Sequence, residues 1–352
     1  MIAKRLAALP RWLLMLLPML ALLIAAQVGS QVKPVAVDMT EAAQKWVGLL
    51  SAEEKTTASY PFDSAERTAW YFVPLQDKDK KPTRKGLRLE LMNEAQRAAA
   101  MSLVQSALSE VGFRKVQTIM SLENILAEEE KGKGPVRNPG WYFLTIFGSP
   151  SLEGSWGWRI EGHHLSLNFT VKDGKVASIT PAFFGSNPGE VKEGPKQGTR
   201  PLATSLDNAL GLIKSLNDEQ RTIALQSKAF PEVQGQTVSA RIGTPVGVRY
   251  DQLQPEQQKA MRQLVDCYLE NFHLDLQKTE RERIATPSWD AITFAYSGTI
   301  EPGTPMTYRL HGSKLLVEFI NLQADGSGNK NNHYHTSWRT LPSDFGMIQA
   351  AK

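Results

Sequence analysis

The 352-residue chain carries one stretch of sequence twice, and the two copies diverge at a pair of histidines. Arg159-Ile160-Glu161-Gly162-His163-His164-Leu165-Ser166-Leu167-Asn168-Phe169 returns as Arg309-Leu310-His311-Gly312-Ser313-Lys314-Leu315-Leu316-Val317-Glu318-Phe319. Arg, Gly, Leu and Phe recur in register, while His163 and His164 fall opposite Ser313 and Lys314. Such a repeat restricts the chain to folds made of two similar units. Chemistry-capable residues present in only one copy mark a site grafted onto a shared scaffold.

Three further matches follow in the same order. Leu50–Ala58 parallels Leu216–Ala224, each a helix end, a Ser or Asn N-cap and the start of a new helix. Gly86-Leu87-Arg88 parallels Gly247-Val248-Arg249, ahead of amphipathic helices expected over 93–111 and 255–274. Trp141, Leu144 and Thr145 parallel Trp289, Ile292 and Thr293, each set opening a strand-rich block. Strands are expected near 141–147, 156–160, 165–171 and 175–181, then near 290–297, 306–310, 315–321 and 332–338. Asp173-Gly174 between Val171 and Val176 is a strong hairpin signal. Helices followed by an antiparallel meander, twice, predict an α+β fold of two tandem duplicated units related by a pseudo-two-fold axis. The units are expected at 36–190 and 200–345, with the Gly- and Pro-rich stretch from Gly185 to Pro201 as the linker.

The N-terminus reads as an export signal. Lys4, Arg5 and Arg11 precede the apolar run Trp12–Ala26, which is shorter than the roughly 20 residues a spanning helix needs. Residues 1–26 are therefore expected to be a signal peptide cleaved after Ala26, or else an N-terminal membrane anchor. Either way the remainder would lie in the periplasm or outside the cell. Without those three cations the 40 basic residues fall to 37 against 36 acidic ones, a balance that disfavours nucleic acid as a partner. Cys267 is the only cysteine, so no internal disulfide forms, and its helical apolar setting reads as core.

Four of the six histidines form two tight groups. His163 and His164 occupy a hairpin turn. His333 and His335 form His-Tyr-His on the last expected strand, where alternation places both imidazoles on one face. Imidazole suits Zn, Cu, Fe and Ni. If the first unit's turn approaches the second unit's last strand, all four become ligands of one metal. Glu161 would then be a ligand or general base, and His311, at the position equivalent to Glu161, a further candidate. His273 is expected to cap carbonyls at a helix end.

Arg159 and Arg309 recur in both halves and read as structural. Arg339 has no twin and is a candidate anion clamp. Trp156 and Trp158 point the same way from one strand and are candidates for binding a sugar ring or flat ligand, although packing against helices explains them as well. The sequon at Asn168 falls inside an expected strand. There is no phosphate-cradling glycine motif, no Gly-x-Ser-x-Gly elbow, no His-Glu-x-x-His and no paired-cysteine metal site.

Tyr142-Phe143, Phe147-Gly148-Ser149-Pro150, Trp156-Gly157-Trp158-Arg159, Pro181-Ala182-Phe183-Phe184-Gly185-Ser186-Asn187-Pro188 and the closing His333-Tyr334-His335-Thr336-Ser337-Trp338-Arg339 resemble an uncharacterised bacterial family, domain of unknown function 3500. The resemblance implies membership over almost the whole mature chain and export, and supplies no activity. The leading expectation is thus an exported metal-dependent enzyme, a hydrolase. The alternative is a non-catalytic envelope protein that binds a small molecule or partner.

Overall fold

The computed structural model describes residues 33–347 except Ser288 and Pro302. The expected leader lies outside the described residues. Among those described, no helix is long and apolar enough to cross a membrane.

Residues from Val35 onward form a single compact unit. Its first half contains α1 (Val35–Gly48), α2 (Ala52–Ala58), β1 (Ser59–Tyr60), β2 (Leu87–Arg88), α3 (Glu94–Ala107), α4 (Glu110–Glu130), β3 (Phe143–Phe147), β4 (Ser155–Gly162), β5 (Leu165–Lys172), β6 (Lys175–Ser178) and β7 (Ala182–Ser186). Its second half contains α5 (Ala203–Ser215), α6 (Asp218–Ala224), β8 (Val248–Arg249), α7 (Pro255–Leu269), α8 (Leu274–Ile284), β9 (Thr293–Gly298), β10 (Met306–His311), β11 (Leu315–Gln323) and β12 (His333–Thr340). The fold is mixed α+β. All strands join one sheet, ordered β1-β3-β4-β5-β7-β12-β11-β10-β9-β8 with β2 and β6 paired off this path.

The two halves use the same local devices. Ser51 caps α2 in a capping box with Glu54, and Asn217 caps α6 in a capping box with Gln220. Behind them, Gln96 Nε2 donates to the Leu49 carbonyl, as Gln257 Nε2 donates to that of Ser215. The hairpins share their register: Trp158 pairs with Phe169 and Arg159 with Asn168, while Tyr308 pairs with Phe319 and Arg309 with Glu318. At the middle of the sheet, β7 and β12 run antiparallel and join the halves.

Strand alternation sorts the side chains between two faces. Trp156, Trp158, Leu167, Phe169, Tyr334 and Trp338 belong to the large core under the helices. The other face carries Arg159, Glu161, Phe183, His335 and Arg339, all buried. Long loops cover it, with Trp70, Phe72, Phe230 and Phe345 forming a smaller apolar cluster around Phe183. The histidines belong to this loop-covered side.

Three boundaries differ from expectation. The helix expected over 93–111 ends at Ala107, because Ser109 caps a new 21-residue helix, α4. The helix expected over 255–274 likewise ends at Leu269, and His273 opens α8 by accepting from the Asp275 N–H. His273 therefore caps an N-terminus and not carbonyls. The expected linker begins inside β7, whose five residues are fully buried at the centre of the sheet.

Candidate metal centre

His164 ends the two-residue turn between β4 and β5 in the left-handed region, with φ of 61°. Its backbone is held on both sides: its N–H donates to the Phe72 carbonyl at 2.9 Å, and its carbonyl accepts from the Gly185 N–H at 2.8 Å. Gly185, on β7, is the strand partner of His335. The His164 ring fills the space that a side chain at 185 would need, 2.6 Å from the position of a Cβ. His333 and His335 reach the same point from β12. His164 Nε2 lies 2.7 Å from His333 Nε2, which lies 3.0 Å from His335 Nε2. One nitrogen from each ring falls within a 4.8 Å cluster.

Two ring N–H groups are spoken for elsewhere. His335 Nδ1 is 2.9 Å from Glu232 Oε2, and the His333 ring donates to the Ala324 carbonyl. A neutral imidazole has a single N–H. Both Nε2 atoms of β12 therefore present lone pairs to each other, and the one N–H that His164 can offer satisfies only one of them. Protonation of His164 or His333 does not relieve the clash at neutral pH. Burial, then repulsion from the neighbouring rings, pushes His333 down to about 3 and His164 well below the usual imidazole value. Three imidazoles converging on one point, with a carboxylate and a carbonyl behind two of them, could hold a metal ion and carry the kind of supporting contacts that orient histidine ligands. A tetrahedral ion with metal–nitrogen bonds of about 2.0–2.1 Å would place such nitrogens about 3.3 Å apart, so the His164–His333 and His333–His335 separations of 2.7 and 3.0 Å would have to open by a few tenths of an ångström.

His163 stands beside this cluster and is not part of it. Its ring packs against His164 with centroids 3.8 Å apart. Its Nδ1 lies 2.5 Å from Glu123 Oε1, on α4. Burial keeps its pKa below the ordinary value against the upward pull of Glu123. Arg137, in the loop after α4, adjoins the same ring and is clamped by Glu130. Glu123, Arg137 and Glu232 escaped the sequence reading, which took Gly185 only as the start of a linker and as part of the family resemblance. None sits in a motif, and their partners lie between 26 and 103 residues away in the cases of Arg137 and His163, and of Glu232 and His335.

The remaining candidates have other tasks. Glu161 is neither ligand nor base here: Arg84 bonds one oxygen at 2.7 Å, while the Tyr71 N–H at 2.8 Å and Ser166 at 3.2 Å bond the other. Arg159 adds a contact at 3.4 Å, so this is a buried structural node. Arg339 is not an open anion clamp. Asp344 accepts from it at 2.7 Å, the carbonyls of Gln234 and Thr237 take its other nitrogens, and Trp70 lies under it. Trp156 and Trp158 offer no face to a ligand; both are buried under the helices, Trp158 stacked on Phe169 at 4.4 Å. His311, on β10, is separated from β12 by β11. Burial, then Arg309, brings it down to about 4. Asn168 is buried and donates to Ser166 and the Pro181 carbonyl. Arg159 and Arg309 pair with Glu66 and Glu318, as structural arginines do, and Cys267 is a buried thiol that burial pushes up to about 11.

Fold and site together define a class: an α+β protein with one large sheet, helices over one face and a buried three-histidine cluster under loops on the other. Within that class the chain belongs to the family of proteins of unknown function DUF3500, whose model matches residues 33–347. No curated protein and no solved structure matches the chain.

Proposed function

We propose that His164, His333 and His335 hold one divalent transition metal ion (Zn, Cu, Fe or Ni) and that the protein is a metal-dependent hydrolase acting outside the cytoplasmic membrane. The observation that carries this reading is the convergence of three Nε2 atoms whose ring N–H groups are largely committed to other acceptors. Three histidines leave a fourth position open, where a bound ion lowers the pKa of a water to about 7 and polarises a substrate oxygen. The chain's own residues hold the rings in place: Glu232 and the Ala324 carbonyl orient the two on β12, and the Phe72 carbonyl and Gly185 anchor His164. His333, at the start of β12, is only partly buried and gives the site its opening.

We further propose that the two halves are a duplication around a pseudo-two-fold axis near Ala182 and Trp338. The shared hairpin registers and equivalent helix caps support this. Under that relation Lys314 corresponds to His164, and Ala177 and Ile179 correspond to His333 and His335. That end of the sheet is closed by the C-terminal segment, with the Phe345 N–H donating to the Thr180 carbonyl. The scaffold is repeated and the site is built once.

Elemental analysis of the purified protein beside a His164→Ala/His333→Ala variant tests the metal reading. It expects about one equivalent of metal in the parent, absent from a variant that keeps its circular dichroism and unfolding transition. Hydrolysis of ester, amide or phosphoester substrates should appear only in the loaded parent. A parent that takes up no metal after incubation with Zn, Cu, Fe or Ni contradicts the proposal.

A further inference from the structure

We propose that the cavity bounded by the Glu190–Arg200 segment, α5 and the loop before β12 binds a neutral polyhydroxylated ligand of sugar-ring size, with the Tyr334 hydroxyl as its buried polar contact. The cavity holds about 390 Å³, within the range of small-molecule pockets. Tyr334 puts it on the helix-covered side of β12, across the sheet from the histidine cluster. It is therefore a second site, and it stands without the metal reading.

Tyr334 supplies the first half of the argument. Its ring belongs to the core, 5.5 Å from that of Phe319, and the residue is only 7% exposed. The chain makes room for the ring tip at Gly189, where a Cβ would lie 2.5 Å from Cζ and 2.6 and 2.7 Å from the two Cε atoms. That close approach is pinned. The Gly189 N–H donates to the Asn332 carbonyl, and the Asn332 side chain exchanges hydrogen bonds with the backbone of Glu190. The tip reaches the cavity, and its hydroxyl has no hydrogen-bond partner among the described residues. Other buried tyrosines are served: Tyr142 donates to the His163 carbonyl, Tyr268 and Tyr308 bond each other, and Tyr308 also donates to the Ser205 carbonyl. Phenylalanine would fill the core at 334 equally well, so a hydroxyl at this depth points to a partner in the cavity.

The walls say what kind of partner. Arg200 donates to the two oxygens of Asp207 at 3.0 and 2.6 Å, and Lys192 to Glu190 at 2.7 Å. With Lys330, three cations face two carboxylates. A fully charged ligand would have to compete with these pairs. A neutral polyol uses them as they stand, because carboxylate oxygens accept from its hydroxyls while guanidinium and ammonium groups donate to them. Pairing also fixes the side chains before the ligand arrives, which lowers the ordering cost of binding. Leu206 and Leu210 of α5 add the apolar wall against which the C–H face of a sugar ring packs.

The test is saturation-transfer NMR on the purified protein with its metal content unaltered. D-glucose, D-galactose, D-mannose, N-acetyl-D-glucosamine and cellobiose are titrated, with citrate and inorganic phosphate as charged comparators. The proteins are the parent, Tyr334→Phe, which removes only the hydroxyl, and Leu206→Trp, which fills the cavity; unfolding transitions check each fold. At least one sugar should bind the parent saturably, ahead of citrate and phosphate. Loss of one hydrogen bond predicts affinity about 2- to 10-fold weaker in Tyr334→Phe, and Leu206→Trp should abolish binding. If Leu206→Trp does not fold, Tyr334→Phe decides alone. The proposal is overturned if no sugar binds saturably, if citrate or phosphate binds more tightly than every sugar, or if a folded variant keeps the parent's sugar affinity.

Discussion

Gly185→Ala perturbs the proposed centre without touching a ligand. Gly185 lies in a strand with no left-handed backbone angle, so alanine fits the main chain there. The obstacle is steric. The new Cβ would lie 2.6 Å from Cδ2, 3.0 Å from Cγ and 3.1 Å from Cβ of His164. Carbon atoms rest about 3.5–4.0 Å apart, so the ring must retreat by about 1 Å. Because the His164 backbone is bonded to both Phe72 and Gly185, that retreat has to come mainly from the side chain. Metal–ligand distances tolerate only about 0.2 Å, which takes Nε2 out of bonding range. Altering a supporting group costs about 10–100-fold in metal affinity; displacing a ligand should reach the upper end, about 100-fold. The overpacking should destabilise the fold by about 1–3 kcal/mol, so the variant remains folded. Competition titration with a chromophoric zinc chelator reads the affinity, and urea unfolding of the metal-free protein reads the stability. Gly211→Ala is the control: nothing lies within 4 Å of its Cβ position on α5, so it should gain about 0.5–1 kcal/mol and bind zinc as the parent does. Gly185→Ala binding zinc with parental affinity would refute the assignment of His164 as a ligand.

Two further predictions concern buried charges. Burial pushes the Lys115 amine down to about 8, over the Phe184 ring at 5.6 Å. Below pH 8 the folded and unfolded states both carry the proton, and the fold bears the full cost of a buried charge. Between pH 8 and about 10.5 only the unfolded state keeps it, so that cost falls as pH rises. Lys115→Met should therefore be more stable than the parent by up to about 3 kcal/mol at pH 7, with the gap closing toward pH 10 in urea melts; a gap that does not vary with pH would contradict this. Arg339→Met should destabilise by about 3–5 kcal/mol because it strands the buried Asp344 carboxylate, and adding Asp344→Asn should recover part of the loss. Additive losses in the double variant would show that the two residues do not act as a pair.

The legible parts of this fold are the ones written locally. The repeated hairpins could be read because their registers depend on side chains a few positions apart, as in Trp158–Phe169 and Tyr308–Phe319. The facing of His333 and His335 followed from strand alternation, and their meeting with His164 from the assumption that the halves pack symmetrically. Strand β7 was hidden because Gly185 and the neighbouring Pro181 and Pro188 carry the composition of a linker, while its partner β12 lies about 150 residues further along the chain. Gly185 is glycine to make room for a ring, which no local pattern reveals. Arg339 lacked a twin and so looked functional. Its partners are Asp344, beyond a turn, and two carbonyls about a hundred residues earlier. Glu161 looked like a candidate base beside two histidines, but alternation on β4 sends it toward Arg84 and Arg159. Buried carboxylates are matched through space, and the sequence does not say with whom.

Zinc K-edge X-ray absorption on the loaded, chelator-washed protein tests the central claim most directly. Three imidazole nitrogens at about 2.0–2.1 Å and one oxygen are expected, with the imidazole signature reduced to two rings in His164→Ala. Zinc that washes out, or that sits in a shell of oxygens with no imidazole scattering, would contradict a three-histidine metal centre.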